Sequence, residues 1–164
     1  DKTCDHIIKL ASSNLKPSTI ALGKSVDTTK RKSETAWLDP NKSEVVGKMM
    51  EKCVSFTDRQ FDNAEYLQVL KYKPGGFYEP HQDAFKEGIN PRVYTCIIAL
   101  NDDYEGGETS FPVLGKEYKL TPVTPRPPTS SQVPTSSGSG RCKMIYHYVA
   151  TTYYVADHVF KPTL

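Results

Sequence analysis

The hydrophobic period of this chain of 164 residues changes once, near Glu65, and that change limits the possible folds more than any other feature. Before it, apolar residues recur every three to four positions, the spacing of a helix with one buried face. Ile7, Ile8, Leu10, Ala11 and Leu15 form such a stripe between Lys2 and Leu15, and Pro17 ends it. A second helix is predicted from Pro40 to about Phe56, with Asp39 as N-cap, Pro40 at the first helical position, and Val45, Val46, Met49, Met50 and Cys53 as its core stripe. From Glu65 onward the period is two and β-branched and aromatic residues dominate, which predicts strands at 66–73, 77–83, 92–100, 108–113 and 142–155. Turns fall at Pro74-Gly75-Gly76, Asn90-Pro91 and Asn101 to Gly107. Two supporting helices followed by many strands give an α+β chain whose helices pack on one face of an antiparallel arrangement.

A chain of this length builds one core and is short for two. The expected organisation is a single domain over 1–164, with helical support in 1–58 and strands in 65–120 and 141–156. With 21 basic and 19 acidic residues there is no basic excess to bind nucleic acid, and none is expected as a partner. No apolar run reaches the roughly 20 residues of a membrane span, and no signal-peptide pattern opens the chain. Starting directly in a helical pattern, the sequence reads as a piece of a longer one. Cys4, Cys53, Cys96 and Cys142 lack both Cys-x-x-Cys spacing and the density of a disulfide scaffold. Cys96 reads as a small apolar group in a buried strand. A bridge between Cys4 and Cys53 joining the two helices is conceivable, and the compartment stays open.

His81 and Asp83 are the candidate metal ligands. On a strand, residues two apart share a face, so an imidazole and a carboxylate reach adjacent corners of one coordination sphere. A pair of this type begins the facial triad of two histidines and one carboxylate used by non-haem iron oxygenases.

The surrounding residues form an ordered series: Gln68 to Tyr72, Gly75 through Tyr78 to His81 and Asp83, Arg92 to Thr95, Leu100-Asn101, and Gly106-Gly107-Glu108-Thr109-Ser110-Phe111. This series resembles the prolyl 4-hydroxylase family of Fe(II)/2-oxoglutarate-dependent dioxygenases, whose pattern runs Gln-x-x-x-Tyr, Gly-x-x-Tyr-x-x-His-x-Asp, Arg-x-x-Thr, Leu-Asn, Gly-Gly-Glu-Thr-x-Phe. The stretch from Arg31 to Ser33 with Trp37 also looks like the family's N-terminal region, so the likeness covers most of residues 1–120. It implies a double-stranded β-helix, or jelly roll, with two N-terminal supporting helices. It also implies Fe(II) and ascorbate, with 2-oxoglutarate as cosubstrate and a proline-containing peptide or protein as substrate. His81 and Asp83 would then hold iron, while Tyr72 and Thr95 face the cosubstrate. Arg92 and Glu108 read as ion-pair or rim residues, and Gly106-Gly107 as a tight turn first and an approach to peptide second.

After Leu120 the chain departs from the family, which continues with a strand carrying the distal iron histidine, about ten residues before a basic residue for the distal carboxylate of 2-oxoglutarate. Here Thr121 to Gly140 is Pro, Ser, Thr or Gly at 16 of 20 positions, all but Val123, Arg126, Gln132 and Val133, and reads as a linker or extended loop. No histidine lies between His81 and His147. Two alignments of the last strand remain open, one with Lys143 at the 2-oxoglutarate carboxylate, the preferred reading, and one with His147 there. His147 is also the nearest candidate for a third iron ligand, whereas His6 and His158 read as packing or surface residues. The resemblance leaves an active proline hydroxylase, a degenerate relative that binds peptide or metal without turnover, and an altered copy of an active enzyme as alternatives.

Overall fold

The computed structural model describes residues 2–20, 25–83, 91–122, 129–130, 137–139 and 147–155. Helix α1 (Lys2–Ser12) turns Cys4, Ile7 and Ala11 inward, and α2 (Glu44–Val54) turns Val46, Met50 and Cys53 inward. The sequence expectation of one helix from Pro40 resolves into two pieces. Asp39 accepts a hydrogen bond from the Asn41 amide and caps a short 3-10 turn at Pro40–Lys42, while the Ser43 side chain caps α2 itself.

Two antiparallel sheets follow. The larger runs in the order β1 (Lys16–Pro17), β3 (Glu34–Leu38), β4 (Leu67–Tyr72), β11 (His147–Val155), β6 (Arg92–Ala99), β9 (Thr129–Ser130). The smaller runs β2 (Arg31–Lys32), β5 (Phe77–His81), β10 (Ser137–Ser139), β7 (Thr109–Phe111), β8 (Lys116–Tyr118). The two-residue period of β4, β6 and β11 divides their side chains between two faces. Leu67, Val69, Cys96, Ile98, Ala150 and Tyr154 join the inward stripes of both helices in the main core. The alternate residues Gln68, Leu70, Tyr72, Thr95, Thr151 and Tyr153 are also buried, and Leu70 and Tyr72 cluster separately with Tyr104, against which Tyr78 packs. Both faces of the larger sheet are therefore covered, one by helices and the other by the groups of the site.

Strand β3 was not expected from the sequence, because five residues are too few to declare a period. Its register is nonetheless fixed by β4, with Ala36 opposite Val69 and Leu38 opposite Leu67. Within Thr121 to Gly140, read above as linker or loop, β9 and β10 are strands. Backbone hydrogen bonding needs no apolar side chains, so two short polar segments can pair with neighbouring strands, β9 at the edge of the larger sheet and β10 between β5 and β7 of the smaller. Gly106 and Gly107 both adopt φ of 71°, the left-handed region that glycine alone enters without strain, consistent with their tight-turn reading. Cys4, Cys53 and Cys96 are buried free thiols, so the conceivable Cys4–Cys53 bridge is absent; Cys53 instead lies in hydrogen-bond contact with Cys96. Cys142 lies outside the described residues.

Candidate active site

Strand β5 ends at His81, and its pairing with β10 sets how His81 is aimed. Ser139 faces Tyr78 and Ser137 faces His81, so three steps on β5 match two on β10 and the register shifts between them. Pro80 falls inside this irregularity, the kind of place in a sheet where a residue without an N–H is tolerated. On a regular strand, residues three apart point to opposite faces. The extra residue brings Tyr78 and His81 to the same side, and their rings stack with centroids 3.6 Å apart and planes 19° apart. Arg31, buried on the neighbouring β2 and opposite Tyr78 in register, lays its guanidinium 4.3 Å from the Tyr78 ring centroid. Its Nε donates to the Ser33 hydroxyl and its Nη1 to the Thr19 carbonyl.

His81 Nδ1 lies 2.8 Å from the Glu79 carbonyl oxygen. A carbonyl only accepts, so Nδ1 carries a proton and Nε2 is the nitrogen turned to Asp83. That Nε2 lies 3.2 Å from Asp83 Oδ1. Two lone-pair atoms at this distance repel each other unless a cation, either a proton on Nε2 or a metal ion, accompanies them. Nitrogen and carboxylate donors of this kind suit a divalent transition metal. Asp83 Oδ2 is occupied separately, accepting a hydrogen bond from Thr95 Oγ1 at 2.8 Å. Burial pushes the Asp83 carboxyl toward a higher pKa, but His81, Thr95 and the positive charge of Arg92 outweigh it and hold the group below the ordinary carboxylate value. Among the described residues, no three His, Cys, Asp or Glu side chains gather into a complete metal cluster.

Beside this pair, Arg92 makes a two-pronged salt bridge to Glu65, both N–O distances being 2.6 Å, and lays its guanidinium 3.6 Å from the Tyr153 ring centroid. Tyr153 donates its hydroxyl to Gln68 Oε1 at 3.2 Å, and burial drives its phenol well above the usual range. Tyr153 also pairs with Thr95 across β11 and β6, so the carboxylate's hydrogen-bond donor and the aromatic wall are cross-strand neighbours. Burial likewise raises Tyr78, with Arg31 opposing the shift.

Of the residues singled out from sequence, His81 and Asp83 meet, and Thr95 touches Asp83. Tyr72 is buried in the cluster with Leu70 and Tyr104, and its backbone partner on β11 is His147. Lys143 and His158 lie outside the described residues. Arg92 is an ion-pair residue as expected, with Glu65 as its partner. The sequence reading assigned no role in the site to Arg31, Tyr78, Glu65, Gln68 or Tyr153. Arg31 and Tyr78 stand in the motifs quoted above, which is where a signal lay. Glu65 and Tyr153 are brought to Arg92 only by the sheet.

A family model described as the 2OG-Fe(II) oxygenase superfamily matches residues 67–154. Among curated relatives, the probable prolyl 4-hydroxylase 7 of Arabidopsis thaliana is 35% identical over 129 residues, covering 73% of this chain and 41% of that protein. Prolyl 4-hydroxylase 5 of the same plant is 36% identical over 130 residues, covering 74% and 45%. The chain thus spans less than half the length of these relatives. Among solved structures, the viral collagen prolyl hydroxylase of Paramecium Bursaria Chlorella virus-1, in its complex with 2OG, superposes with a TM-score of 0.71 at 25% identity, covering 95% of this chain and 90% of that one. A prolyl-4-hydroxylase of Pseudomonas putida shares the fold with a TM-score of 0.65 at 19% identity, covering 94% and 84%.

Proposed function

The chain belongs to the 2OG-Fe(II) oxygenase superfamily, among its prolyl 4-hydroxylases, and from that premise we propose that it hydroxylates proline, or a related side chain, in a peptide or protein substrate. The observation that carries this reading is the His81–Asp83 contact, in which an imidazole nitrogen and a carboxylate oxygen converge at 3.2 Å, a donor pair that suits a divalent metal.

His81 Nε2 and Asp83 Oδ1 would hold Fe(II). When bound, the iron supplies the centre at which dioxygen and the keto-acid end of 2-oxoglutarate react, giving succinate and carbon dioxide while one oxygen atom goes to the substrate. The protein's own groups prepare that centre. Glu79 fixes the imidazole tautomer through its carbonyl, and Tyr78 holds the ring's plane by stacking. Thr95 occupies Oδ2 of Asp83 and so leaves Oδ1 toward the metal. Tyr72 is assigned to the far carboxylate of 2-oxoglutarate, together with one basic group. Lys143, the preferred reading, and His147, whose backbone pairs with Tyr72, are the candidates. Arg92, kept in place by Glu65 and Tyr153, forms a charged wall against which a peptide could be oriented. Ascorbate is proposed as the accompanying reductant. We read the two sheets as the walls of a double-stranded β-helix braced by α1 and α2.

The experiment is mass spectrometry of a proline-rich peptide after incubation with the chain, Fe(II), 2-oxoglutarate and ascorbate. A peptide heavier by one oxygen atom with the wild-type chain, and unmodified with His81→Ala or Asp83→Ala, is the expected result. Metal binding with an unmodified peptide would point to the non-catalytic relative instead.

A further inference from the structure

The thiols of Cys53 and Cys96 take no part in the site, yet they meet directly behind it. On β6, Thr95 faces Asp83, and the next residue, Cys96, points to the opposite face, fully buried in the core shared with α2. Cys53 ends the inward stripe of α2 and is equally buried. The helix is tied to this face of the sheet at the same place. Thr152 is the β11 partner of Cys96, and Tyr154, two residues along on the same face, donates its hydroxyl to the carbonyl of Met50, about one turn before Cys53. The two thiols themselves lie in hydrogen-bond contact. That bond raises Cys53 and, against burial, lowers Cys96, so Cys96 is the thiol that ionises first. From such a contact, small side-chain rotations bring the sulfurs to the roughly 2 Å of an S–S bond.

We propose that Cys53 and Cys96 are an oxidative modification site, a pair that closes to a disulfide and fastens α2 to the back of the sheet carrying Thr95. The oxidant is hydrogen peroxide, which is small and uncharged and so enters a packed core that larger thiol reagents do not. The Cys96 thiolate attacks one peroxide oxygen, the O–O bond breaks, and the departing hydroxide takes up a proton and leaves as water, giving a sulfenic acid on Cys96. The Cys53 sulfur then forms the S–S bond and displaces the second hydroxide, which leaves as water with the Cys53 proton. Two thiols lose two electrons, and one peroxide becomes two waters. The bridge joins residues roughly forty apart and encloses His81 and Asp83 in the loop, so it restricts the unfolded chain and stabilises the folded one. None of this depends on the metal-centre reading.

The test treats the full chain with hydrogen peroxide in the presence of a chelator, blocks remaining thiols in denaturant, and maps the peptides by mass spectrometry without reduction. The expected product is a monomer lighter by two hydrogen atoms, with the Cys53 peptide joined to the Cys96 peptide. Its thermal unfolding midpoint should rise by roughly 5–15 °C and fall back on reduction with dithiothreitol. Cys53→Ala and Cys96→Ala should show no such rise. The wild-type peptide map decides the matter even where a variant fails to fold. No bridge at a peroxide concentration that oxidises the methionines, or a bridge through Cys4 or Cys142 instead, would overturn the proposal. So would a Cys53–Cys96 bridge that leaves the midpoint unchanged or lowers it.

Discussion

Thr95, on the larger sheet, donates its hydroxyl to Asp83 Oδ2 at 2.8 Å, so the carboxylate that follows β5 of the smaller sheet is held from the opposite wall. A hydrogen bond to a charged group contributes about 1.5–3 kcal/mol, and neighbours that orient a ligand typically control metal affinity by about 10–100-fold. Thr95→Val is expected to weaken Fe(II) or Co(II) binding within that range, while Thr95→Ser, which keeps the hydroxyl, stays near wild type. Isothermal titration of the two variants checks this, and equal losses in both would show that packing, not the hydroxyl, matters.

Arg92 and Glu65 form a two-pronged pair whose side chains are only 15% and 17% exposed. Removing one partner of such a pair strands the other's charge in a poorly hydrated place, at a cost of about 3–5 kcal/mol when fully buried. Arg92→Ala should therefore lower stability by about 2–4 kcal/mol, discounted for the remaining exposure, whereas the double variant Arg92→Ala/Glu65→Ala should lose less than the sum of the two single changes. Urea denaturation of the four proteins measures the coupling. Arg92→Lys should fall between, because an ammonium cannot reproduce the two parallel bonds.

Gly76 sits where the β4–β5 turn passes β2. A Cβ there would lie 2.8 Å from the carbonyl oxygens of both Lys32 and Lys73, neither of which can move without shifting backbone. Gly76→Ala should cost about 1–3 kcal/mol by overpacking, read as a lowered midpoint in thermal or urea unfolding. A variant as stable as wild type would mean that the turn relaxes freely.

The three buried thiols give a solvent-access test. Burial raises Cys4, and hydrogen bonding with Cys96 together with burial raises Cys53, so neither presents a thiolate near neutral pH. Iodoacetamide followed by peptide mass spectrometry should leave Cys4, Cys53 and Cys96 unmodified in the native chain and label all three in denaturant. Native labelling of Cys53 would contradict the packing of α2 on the sheet.

The helical stripes, the strand-rich second half and the His81–Asp83 pair were legible from sequence because each depends on local spacing: 3.6 residues for α1 and α2, two for β4, β6 and the ligand pair. Tyr78 against His81 was not, since the stack depends on the register shift around Pro80, and that shift is set by β10, more than fifty residues away in the chain. Glu65 with Arg92 and Tyr153 with Gln68 likewise join positions distant in sequence that only strand pairing brings together. The short strands β9 and β10 within Thr121 to Gly140 were not legible for the opposite reason. The segment's composition excludes a core strand, but it says nothing about backbone pairing along the edges of β5, β6 and β7.

The most direct test of a metal centre on His81 and Asp83 is the release of succinate from 2-oxoglutarate, measured with increasing Fe(II) for the wild-type chain and His81→Ala. Iron-dependent succinate from the wild type in proportion to peptide hydroxylated, and none above background from the variant, is the expected result. Absence of succinate from the wild type at saturating iron, or undiminished release from His81→Ala, would contradict it.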